Sequence, residues 1–295
     1  MITLRMGRQV HDAVARGYNS GSGIIAEKNR LVAASLVARV PRRDRAVAVA
    51  DLGVGDGAML AQLAAAGLPM RATGLDVSRA MLARAAARVP LTTVHAGAEH
   101  AARHLPAAAF DLVLAHFILA YVDRAALLAQ ARTLLAVDGV FSLVTTTGEG
   151  GSGFMAWLDE HYRRTRHPLK RIIAAAADRA LACSHVPATY ADLEADIAAA
   201  GLQVQARQTL RVPVSLPDAE AAYRFGFEEG WAANILTVPG LPLGVGEAMA
   251  RWGVRQGAYP LRFIQVVEML EIGRALPSAD PATDRAGARS APRGG

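Results

Sequence analysis

Short apolar runs alternate with longer amphipathic segments along the first half of the chain. The aliphatic runs predict five strands, near residues 47–51, 71–75, 92–95, 111–115 and 140–146. Between these runs the apolar residues recur at helical spacing, which predicts helices near residues 57–66, 78–88 and 124–136. Strands and helices that alternate in this way form a parallel sheet covered by helices on both faces.

The regular alternation ends after Thr147, where a glycine-rich segment begins. Beyond it we expect two helical excursions, a helix with cap signals at both ends, and two further strands. In chain order these elements are predicted over residues 154–183, 189–201, 202–214, 217–251 and 262–272.

The most informative segment lies at the end of the first predicted strand. The run that starts at Val47 ends in Asp51, and three glycines then alternate at Gly53, Gly55 and Gly57 before an apolar helix begins. Glycine lets the backbone turn sharply and approach a ligand closely, because it has no Cβ. The N–H groups at the start of the following helix then face that ligand.

A second strand follows this helix and ends in Asp76. In βαβ units an acid at this strand tip binds ribose hydroxyls, so the sequence predicts a cofactor that contains a nucleoside. The pattern Gly53-x-Gly55-x-x-Ala58 also fits a relaxed dinucleotide fingerprint, which leaves a nicotinamide nucleotide as the competing interpretation. Asp51 favours a positively charged ligand group, because its carboxylate would repel a pyrophosphate.

The order of these motifs resembles the class I S-adenosylmethionine-dependent methyltransferases over roughly residues 10–275. The resemblance rests on the glycine turn, on the strand that ends in Asp76, and on the strand that starts with Phe110 and Asp111. It implies an α/β fold with a doubly wound, mostly parallel seven-stranded sheet, an antiparallel last strand and a helical lid. It also implies S-adenosyl-L-methionine as cofactor and S-adenosyl-L-homocysteine as product, with no metal expected.

The same resemblance predicts how the chain is divided. We expect residues 1–45 to form an N-terminal helical lid segment and residues 46–275 to form the methyltransferase core. The two excursions are expected to be helical lid inserts, at about 148–188 and 216–260. Residues 277–295 are rich in alanine, proline, serine, arginine and glycine, and are predicted to be disordered.

The resemblance assigns cofactor contacts to ten positions. The glycines would approach the methionine portion, Asp51 would lie on its ammonium side, and Asp76 would accept hydrogen bonds from both ribose hydroxyls. Val77 would pack on the adenine face, and the two residues after Gly97 would read the adenine amino edge. The expected cofactor-binding residues are Tyr18, Asp51, Gly53, Gly55, Gly57, Asp76, Val77, Ala98, Glu99 and His116.

His116, at the tip of the fourth strand, is the candidate catalytic base, because imidazole titrates near neutral pH. Relatives also carry polar residues at this position that contact the cofactor without moving a proton, so both roles stay open. Tyr18 would close over the cofactor carboxylate from the N-terminal lid. Glu99 has an alternative as an ordinary solvated helix residue.

Two segments in the inserts are candidates for the acceptor pocket, and each also has a plain structural interpretation. The first is rich in cations, which would bind an anionic acceptor or form a solvated helix face. The second is an aromatic stripe with a period of four residues, which would hold a flat acceptor or pack in the core. The cationic candidates are His161, Arg163, Arg164 and Arg166, and the aromatic candidates are Tyr223, Phe227 and Trp231.

Composition narrows the classes of partner. The net charge of +6 arises from 32 cationic residues, of which only Lys28 and Lys170 are lysines. This arginine bias indicates a compositional preference, so we do not expect nucleic-acid binding. No apolar window reaches the length of about 18 residues that spans a membrane, and no signal-peptide pattern is visible. The single cysteine, Cys183, suits a reducing cytoplasm.

We therefore expect a cytoplasmic enzyme that transfers a methyl group by in-line displacement to a small acceptor, either apolar or aromatic, with an anionic acceptor as a further option. The two large excursions favour an enclosed small molecule over a macromolecule. An RNA or protein methyltransferase and a catalytically silent cofactor-binding regulator stay open as alternatives. A homodimer is compatible with the sequence, which does not identify the acceptor atom or the pathway.

Overall fold

The computed structural model describes residues 11–12, 23–41, 44–150, 156–157, 159–182, 184–232 and 242–275. In its first half, helices and strands alternate as the apolar pattern predicts. The elements are α1 (Ile24–Arg39), β1 (Val47–Leu52), α2 (Ala58–Ala65), β2 (Met70–Asp76), α3 (Arg79–Arg88), β3 (Thr92–His95), a 3-10 helix (Ala98–Arg103), β4 (Phe110–His116), α4 (Arg124–Leu134) and β5 (Leu135–Thr145). Strand β5 begins earlier than predicted, because Leu135 already pairs with Phe110 of β4 before a shift in register.

The second half contains the two predicted excursions and the last two strands. Its elements are a π-helical turn (Asp159–Arg163), α5 (Pro168–Ala182), α6 (Tyr190–Ala199), β6 (Leu202–Leu216), α7 (Ala219–Tyr223), a second π-helical turn (Arg224–Glu228), α8 (Leu243–Arg255) and β7 (Leu261–Arg274). Helix α6 begins with a capping box between Thr189 and Asp192, which satisfies N–H groups that the first helical turn leaves free. The predicted tail, residues 277–295, lies outside the described residues.

The seven strands form one sheet in the order β3-β2-β1-β4-β5-β7-β6. Strands β1 to β5 are parallel, whereas β7 is antiparallel to both of its neighbours, β5 and β6. The predicted antiparallel last strand is therefore confirmed. The strand order reverses between β1 and β4, and open α/β sheets bind their ligands at the carboxyl ends of the strands at such a point.

Alternate residues of the strands pack into two separate hydrophobic clusters, one on each face of the sheet. On one face Val49 and Leu114 pack with α1, α2 and α3, and on the other Ala50 and Val113 pack with the 3-10 helix, α4 and α6. The buried strands have no polar face because helices cover both sides, which explains their continuous apolar runs.

An ion pair connects β4 to the segment before β1. The Asp111 carboxylate is buried and accepts two hydrogen bonds from the Arg45 guanidinium, at 2.6 and 2.9 Å, and one from the Ala48 N–H at 2.9 Å. This network lies at the amino end of the sheet, and the opposite, carboxyl edge carries the candidate site.

The elements after β5 and β6 pack above that carboxyl edge. The buried Tyr162 hydroxyl donates to the Gly253 carbonyl of α8, and the Trp157 ring lies 5.3 Å from the Tyr162 ring. Phe225 and Phe263 join the same hydrophobic cluster as α1. The excursions are thus continuous with the core on the α1 face of the sheet.

Candidate functional site

A cleft opens at the carboxyl ends of β1, β2 and β4, where the strand order reverses. It encloses about 590 Å³ of space, part of it open to solvent. The residues that line it come from the glycine turn, from the end of β2, from the segment after β3 and from the segment after β4. They are His11, Gly53, Gly55, Asp76, Val77, Ala96, Ala98, His116, Phe117, Ile118, Tyr121 and Val122.

The glycine turn brings the β1 and β4 connections into contact. Gly53 has a φ of +92°, and a Cβ on it would lie 2.5 Å from the Cγ2 atom of Ile118, so only glycine fits. Gly57 differs from the prediction, because it caps α2 and faces α3 instead of the cleft. A Cβ on Gly57 would lie 3.0 Å from the Cα atom of Ala85. Gly57 therefore permits the close packing of two helices.

Asp76 holds the turn in place from the end of β2. Its carboxylate accepts hydrogen bonds from the N–H of Gly55 at 3.0 Å and of Ser78 at 2.8 Å, one on each oxygen. The side chain is 8% exposed and lines the cleft. Each carboxylate oxygen keeps a second acceptor site, which suits a vicinal diol.

Of the positions that the sequence assigns to the adenine, Val77 and Ala98 lie in the lining of the cleft, and Glu99 follows Ala98 in the 3-10 helix. The Oε2 atom of Glu99 is buried and has no hydrogen-bond partner among the described residues. A buried carboxylate oxygen without a donor is costly, so a ligand amino group would fit this position.

Two buried charged side chains, Lys28 and Asp51, interact electrostatically, and Lys28 also contacts His116 of the cleft lining. Lys28 of α1 is 2% exposed, and its Nζ atom lies 3.2 Å from the Nδ1 atom of His116. Burial lowers the pKa of Lys28 to about 7, against the attraction of Asp51 and Asp56. Asp51 is 3% exposed, and burial raises the pKa of its carboxyl to about 7, against the attraction of Lys28. Lys28 and Asp51 thus attract each other electrostatically, while burial disfavours the charge of each.

Both ring nitrogens of His116 are engaged within the protein. With Lys28 protonated, Nδ1 accepts from Nζ, and Nε2 donates to the Oγ atom of the buried Ser142 at 3.1 Å. Burial, and secondarily the charge of Lys28, holds the pKa of His116 well below its ordinary value. These contacts favour a positioning role for His116 over the catalytic-base role that the sequence also allowed.

The N-terminal segment reaches the cleft through His11. Its ring lies 4.9 Å from the Tyr121 ring in an edge-on arrangement, and the adjacent Asp12 accepts a 2.5 Å hydrogen bond from the Ser78 hydroxyl. Tyr18, which the sequence suggested for the cofactor carboxylate, lies outside the described residues. His11 carried no motif, so nothing in the sequence pointed to it.

The cationic segment of the first insert does not join the described cleft. Arg163 forms ion pairs with Asp159 and Asp178, while Arg164 and Arg166 are exposed. The ring of His161 contacts the Trp157 carbonyl at 3.0 Å. Asp159 lies in the same π-helical turn as Arg163, and Asp178 lies in α5. The sequence pattern did not predict either ion pair.

The aromatic residues of the second insert do not form the predicted single stripe. Helix α7 ends at Tyr223, and the π-helical turn that follows changes the residue spacing, so Tyr223 and Phe227 stay in contact at 5.1 Å but Trp231 does not continue their row. Trp231 instead stacks on Phe225 at 5.6 Å and meets the edge of Phe117 at 5.3 Å. Phe117 lines the cleft, so Trp231 is the member of the set nearest to it.

Two features are absent from the part of the chain that the structure describes. No group of three or more His, Cys, Asp or Glu side chains there could hold a metal ion. No helix there is long and apolar enough to cross a membrane.

Sequence comparison agrees with the geometry of the cleft. Residues 50–143 match the family model described as "Methyltransferase domain". The trans-aconitate 2-methyltransferase of Methylobacterium radiotolerans is 33% identical over 179 residues, which is 57% of this chain and 63% of that protein. The chain thus spans less than two thirds of the length of this curated relative.

Solved structures share the fold at low sequence identity. The YcgJ protein of Bacillus subtilis superposes with a TM-score of 0.54 at 14% identity, over 84% of this chain and 99% of the other. The cyclopropane synthase MmaA2 of Mycobacterium tuberculosis gives a TM-score of 0.54 at 16% identity, over 92% and 98% of the two chains. Residues 50–143 thus match a methyltransferase domain, and the solved structures share the α/β fold with its mixed seven-stranded sheet.

Proposed function

We propose that this protein binds S-adenosyl-L-methionine in the cleft at the β1–β4 switch point and transfers its methyl group to a small-molecule acceptor. The observation that carries the proposal is the combination, in one cleft, of the glycine turn and the Asp76 carboxylate, with the orphaned Oε2 atom of Glu99 next in the chain to Ala98 of the lining. These groups suit, respectively, a close ligand approach, a ribose diol and an adenine amino group.

The buried pair of Lys28 and Asp51 supports a cofactor with an amino-acid end. An α-amino acid is a zwitterion, so one positive and one negative side chain can each bind its opposite charge. Lys28 keeps N–H groups free after its contact with His116, because an ammonium has three donors. We assign Lys28 to the cofactor carboxylate and Asp51 to the cofactor ammonium, a pairing that would offset the desolvation of both side chains.

Methyl transfer requires little from the protein beyond the alignment of donor and acceptor. When bound, S-adenosylmethionine supplies a methyl group on a positively charged sulfur, which is already activated. Asp76 and the glycine turn orient that group, and the burial of Lys28, Asp51 and Ser142 keeps water away from the methionine end. His116 stays neutral between Lys28 and Ser142 and positions both.

A small acceptor is favoured by what lies above the cleft. The elements after β5 and β6 pack over the carboxyl edge of the sheet and join its hydrophobic cluster through Phe225 and Phe263. This cover suits an enclosed metabolite better than a macromolecule. The name of the curated relative, a trans-aconitate 2-methyltransferase, also refers to a small organic acid.

Calorimetric titration of the full chain with S-adenosylhomocysteine tests the proposal. We expect one-to-one binding with micromolar or lower Kd, and no binding of NADH or NADPH under the same conditions. Binding of a nicotinamide nucleotide instead would overturn the proposal, and so would the absence of any binding of S-adenosylhomocysteine.

A further inference from the structure

The cleft has no lysine or arginine among its described lining residues. Its charged group is the Asp76 carboxylate, and its two imidazoles belong to His11 and His116. Burial lowers the pKa of both histidines, so each ring is neutral near pH 7. An anionic group in the cleft therefore meets no opposite charge from these residues.

The charges next to the cleft are already matched by the cofactor. Lys28 and Asp51 are buried and attract each other. The proposed binding mode pairs Lys28 with the cofactor carboxylate and Asp51 with the cofactor ammonium, so neither side chain is left for an acceptor. The remaining cofactor charge, on the sulfonium, is balanced by the Asp76 carboxylate. An anionic acceptor would therefore enter a site whose formal charges sum to zero.

The described arginines of the inserts do not supply the missing cation. Arg163, Arg164 and Arg166 are not part of the cleft lining. Arg251 of α8 forms an ion pair with Glu247 at 3.3 Å, and it does not line the cleft either. These cations are paired with acids of the inserts or exposed to solvent, so they leave the charge of the cleft unchanged.

Two stretches of the inserts lie outside the described residues, and their sequences also lack cations. Residues 151–155 and 233–241 contain no Asp, Glu, Lys, Arg or His. Neither stretch can therefore bind an anionic acceptor through an ion pair. In the N-terminal stretch 13–22, also outside the described residues, the sequence has one cation, Arg16.

The β4–α4 connection (residues 117–123) gives the cleft an apolar surface. Phe117, Ile118, Tyr121 and Val122 of this connection line the cleft. Phe117 has a φ of +57°, a region that bulky side chains rarely adopt, and strained residues of this kind cluster at functional sites. The Trp231 ring meets the Phe117 ring edge-on at 5.3 Å and supports it from the second excursion. An apolar molecule can pack on this surface, whereas an ion would lose its hydration there without gaining a partner.

We infer that the acceptor is an uncharged, apolar molecule that packs on the β4–α4 connection. It would thus differ in charge from the organic acid in the name of the curated relative. The inference rests on the proposed methyl transfer and gives the substrate class for it. Of the acceptors that the sequence left open, the apolar or aromatic one is favoured over the anionic one. Such a difference from a relative is compatible with a shared fold, because substrate preference depends on the residues of the site.

A pair of probes that differ in charge tests the substrate class. The full chain would be saturated with sinefungin, an analogue that carries a positive amine where S-adenosylmethionine carries its sulfonium. It would then be titrated by calorimetry with 2-acetylnaphthalene and with 2-naphthoate, which have nearly the same shape. We expect 2-acetylnaphthalene to bind at least about 10-fold more tightly, because the carboxylate loses its hydration without gaining a partner. Equal binding of the two probes, tighter binding of 2-naphthoate or binding of neither would overturn the inference.

A change of charge in the lining tests where the acceptor lies. Tyr121→Arg should raise the affinity for 2-naphthoate by at least about 10-fold, since a charge-assisted hydrogen bond contributes that much. Tyr121→Gln, which is polar but uncharged, is the control and should give no such gain. The Kd of sinefungin, measured in each variant, shows whether the cleft is intact. An unchanged affinity for 2-naphthoate in a Tyr121→Arg variant that still binds sinefungin would refute the placement on the β4–α4 connection.

Arg16→Gln tests the cation of the N-terminal stretch. The substitution should leave the ratio of the affinities for the two probes unchanged, since we expect no cation to contact the acceptor. A ratio that shifts further toward 2-acetylnaphthalene would show that Arg16 binds the anionic probe, and the inference would be wrong.

Turnover separates this inference from the proposed function. With labelled S-adenosylmethionine, trans-aconitate should not become methylated. Methylation of trans-aconitate would refute the uncharged acceptor and support the proposed methyl transfer. If S-adenosylhomocysteine does not bind to the protein, the proposed function itself is wrong.

Discussion

The Nζ atom of Lys28 lies 3.2 Å from the Nδ1 atom of His116, although 88 positions separate the two residues in the chain. The contact connects helix α1, which precedes the matched methyltransferase domain, to the end of strand β4 inside it. Helix α1 is therefore part of the candidate site. The contact also occupies the Nδ1 atom of His116, the residue that the sequence suggested as a base.

Lys28→Met should reduce affinity for S-adenosylhomocysteine by at least about 10-fold, because a charge-assisted hydrogen bond contributes 1.5–3 kcal/mol. Affinity for 5′-methylthioadenosine, which has the same nucleoside but no amino-acid end, should stay the same. Calorimetry with both ligands measures the difference. Lys170→Met is the control, since Lys170 donates to the Gln256 carbonyl just after α8, among residues that do not line the cleft. Equal losses for both ligands would contradict the assignment of Lys28 to the cofactor carboxylate.

The buried pair also predicts how stability without cofactor depends on pH. Asp51 has a folded-state pKa raised from 3.8 to about 7, so its contribution falls as pH rises through that window. Lys28 has a folded-state pKa lowered from 10.5 to about 7, so its contribution rises with pH between about 7 and 10.5. The combined contribution of the two groups to the free energy of unfolding is therefore lowest near pH 7.

Removing both charges should remove the desolvation cost of burying them. The double variant Lys28→Met, Asp51→Asn should raise the free energy of unfolding at pH 7 by about 1–3 kcal/mol, since each of the two buried charges carries a desolvation cost. Denaturant unfolding at several pH values, without cofactor, measures it. The same variant should bind S-adenosylhomocysteine poorly. A less stable double variant would show that the pair stabilises the fold.

Glu99→Gln tests the adenine contact. The substitution replaces a charged acceptor by a neutral amide, so the Kd of S-adenosylhomocysteine should rise about 10-fold. The Kd of S-inosylhomocysteine, which lacks the amino group, should not rise. Glu220→Gln, on the exposed side of α7, is the control. If Glu99→Gln weakens both nucleosides alike, Glu99 does not read the amino edge.

Asp111→Asn should destabilise the fold without directly touching the cleft. It leaves the Arg45 guanidinium without its buried partner and weakens the contact to the Ala48 N–H, so we expect a loss of about 3 kcal/mol. Arg30→Ala is the matched control, since the Arg30–Glu27 pair is exposed and should contribute less than about 1 kcal/mol. Equal losses in urea unfolding would contradict this ranking of the two pairs.

The sequence predicted the fold well because the elements of the core are local in origin. The β1 run, the glycine turn and the Thr189 cap each act within a few residues, so their pattern is visible without a structure. The antiparallel direction of β7 was predicted from the resemblance alone. The apolar pattern of the strand could not give it, because the pattern is the same in either direction.

The site was predictable only in part. Asp76 and the glycines follow from local turns, whereas the roles of Lys28, His11 and Ser142 depend on contacts between distant segments. One signal for Lys28 was available, because a lysine is rare in this arginine-rich chain. The aromatic stripe was wrong as a single face because a π-helical turn changes the spacing after Tyr223, and composition gives no sign of such a turn.

The position of β7 between β5 and β6 has a consequence for how this chain can change over evolutionary time. The second excursion leaves the sheet at the end of β6 and returns at the start of β7, at Leu216 and Leu261, which are paired with each other. A segment whose two ends are clamped side by side can be lengthened, shortened or exchanged without altering the register of any strand. The cover above the cleft can therefore change through insertions or replacements between these two residues, while the half of the molecule that carries the glycine turn and Asp76 stays the same.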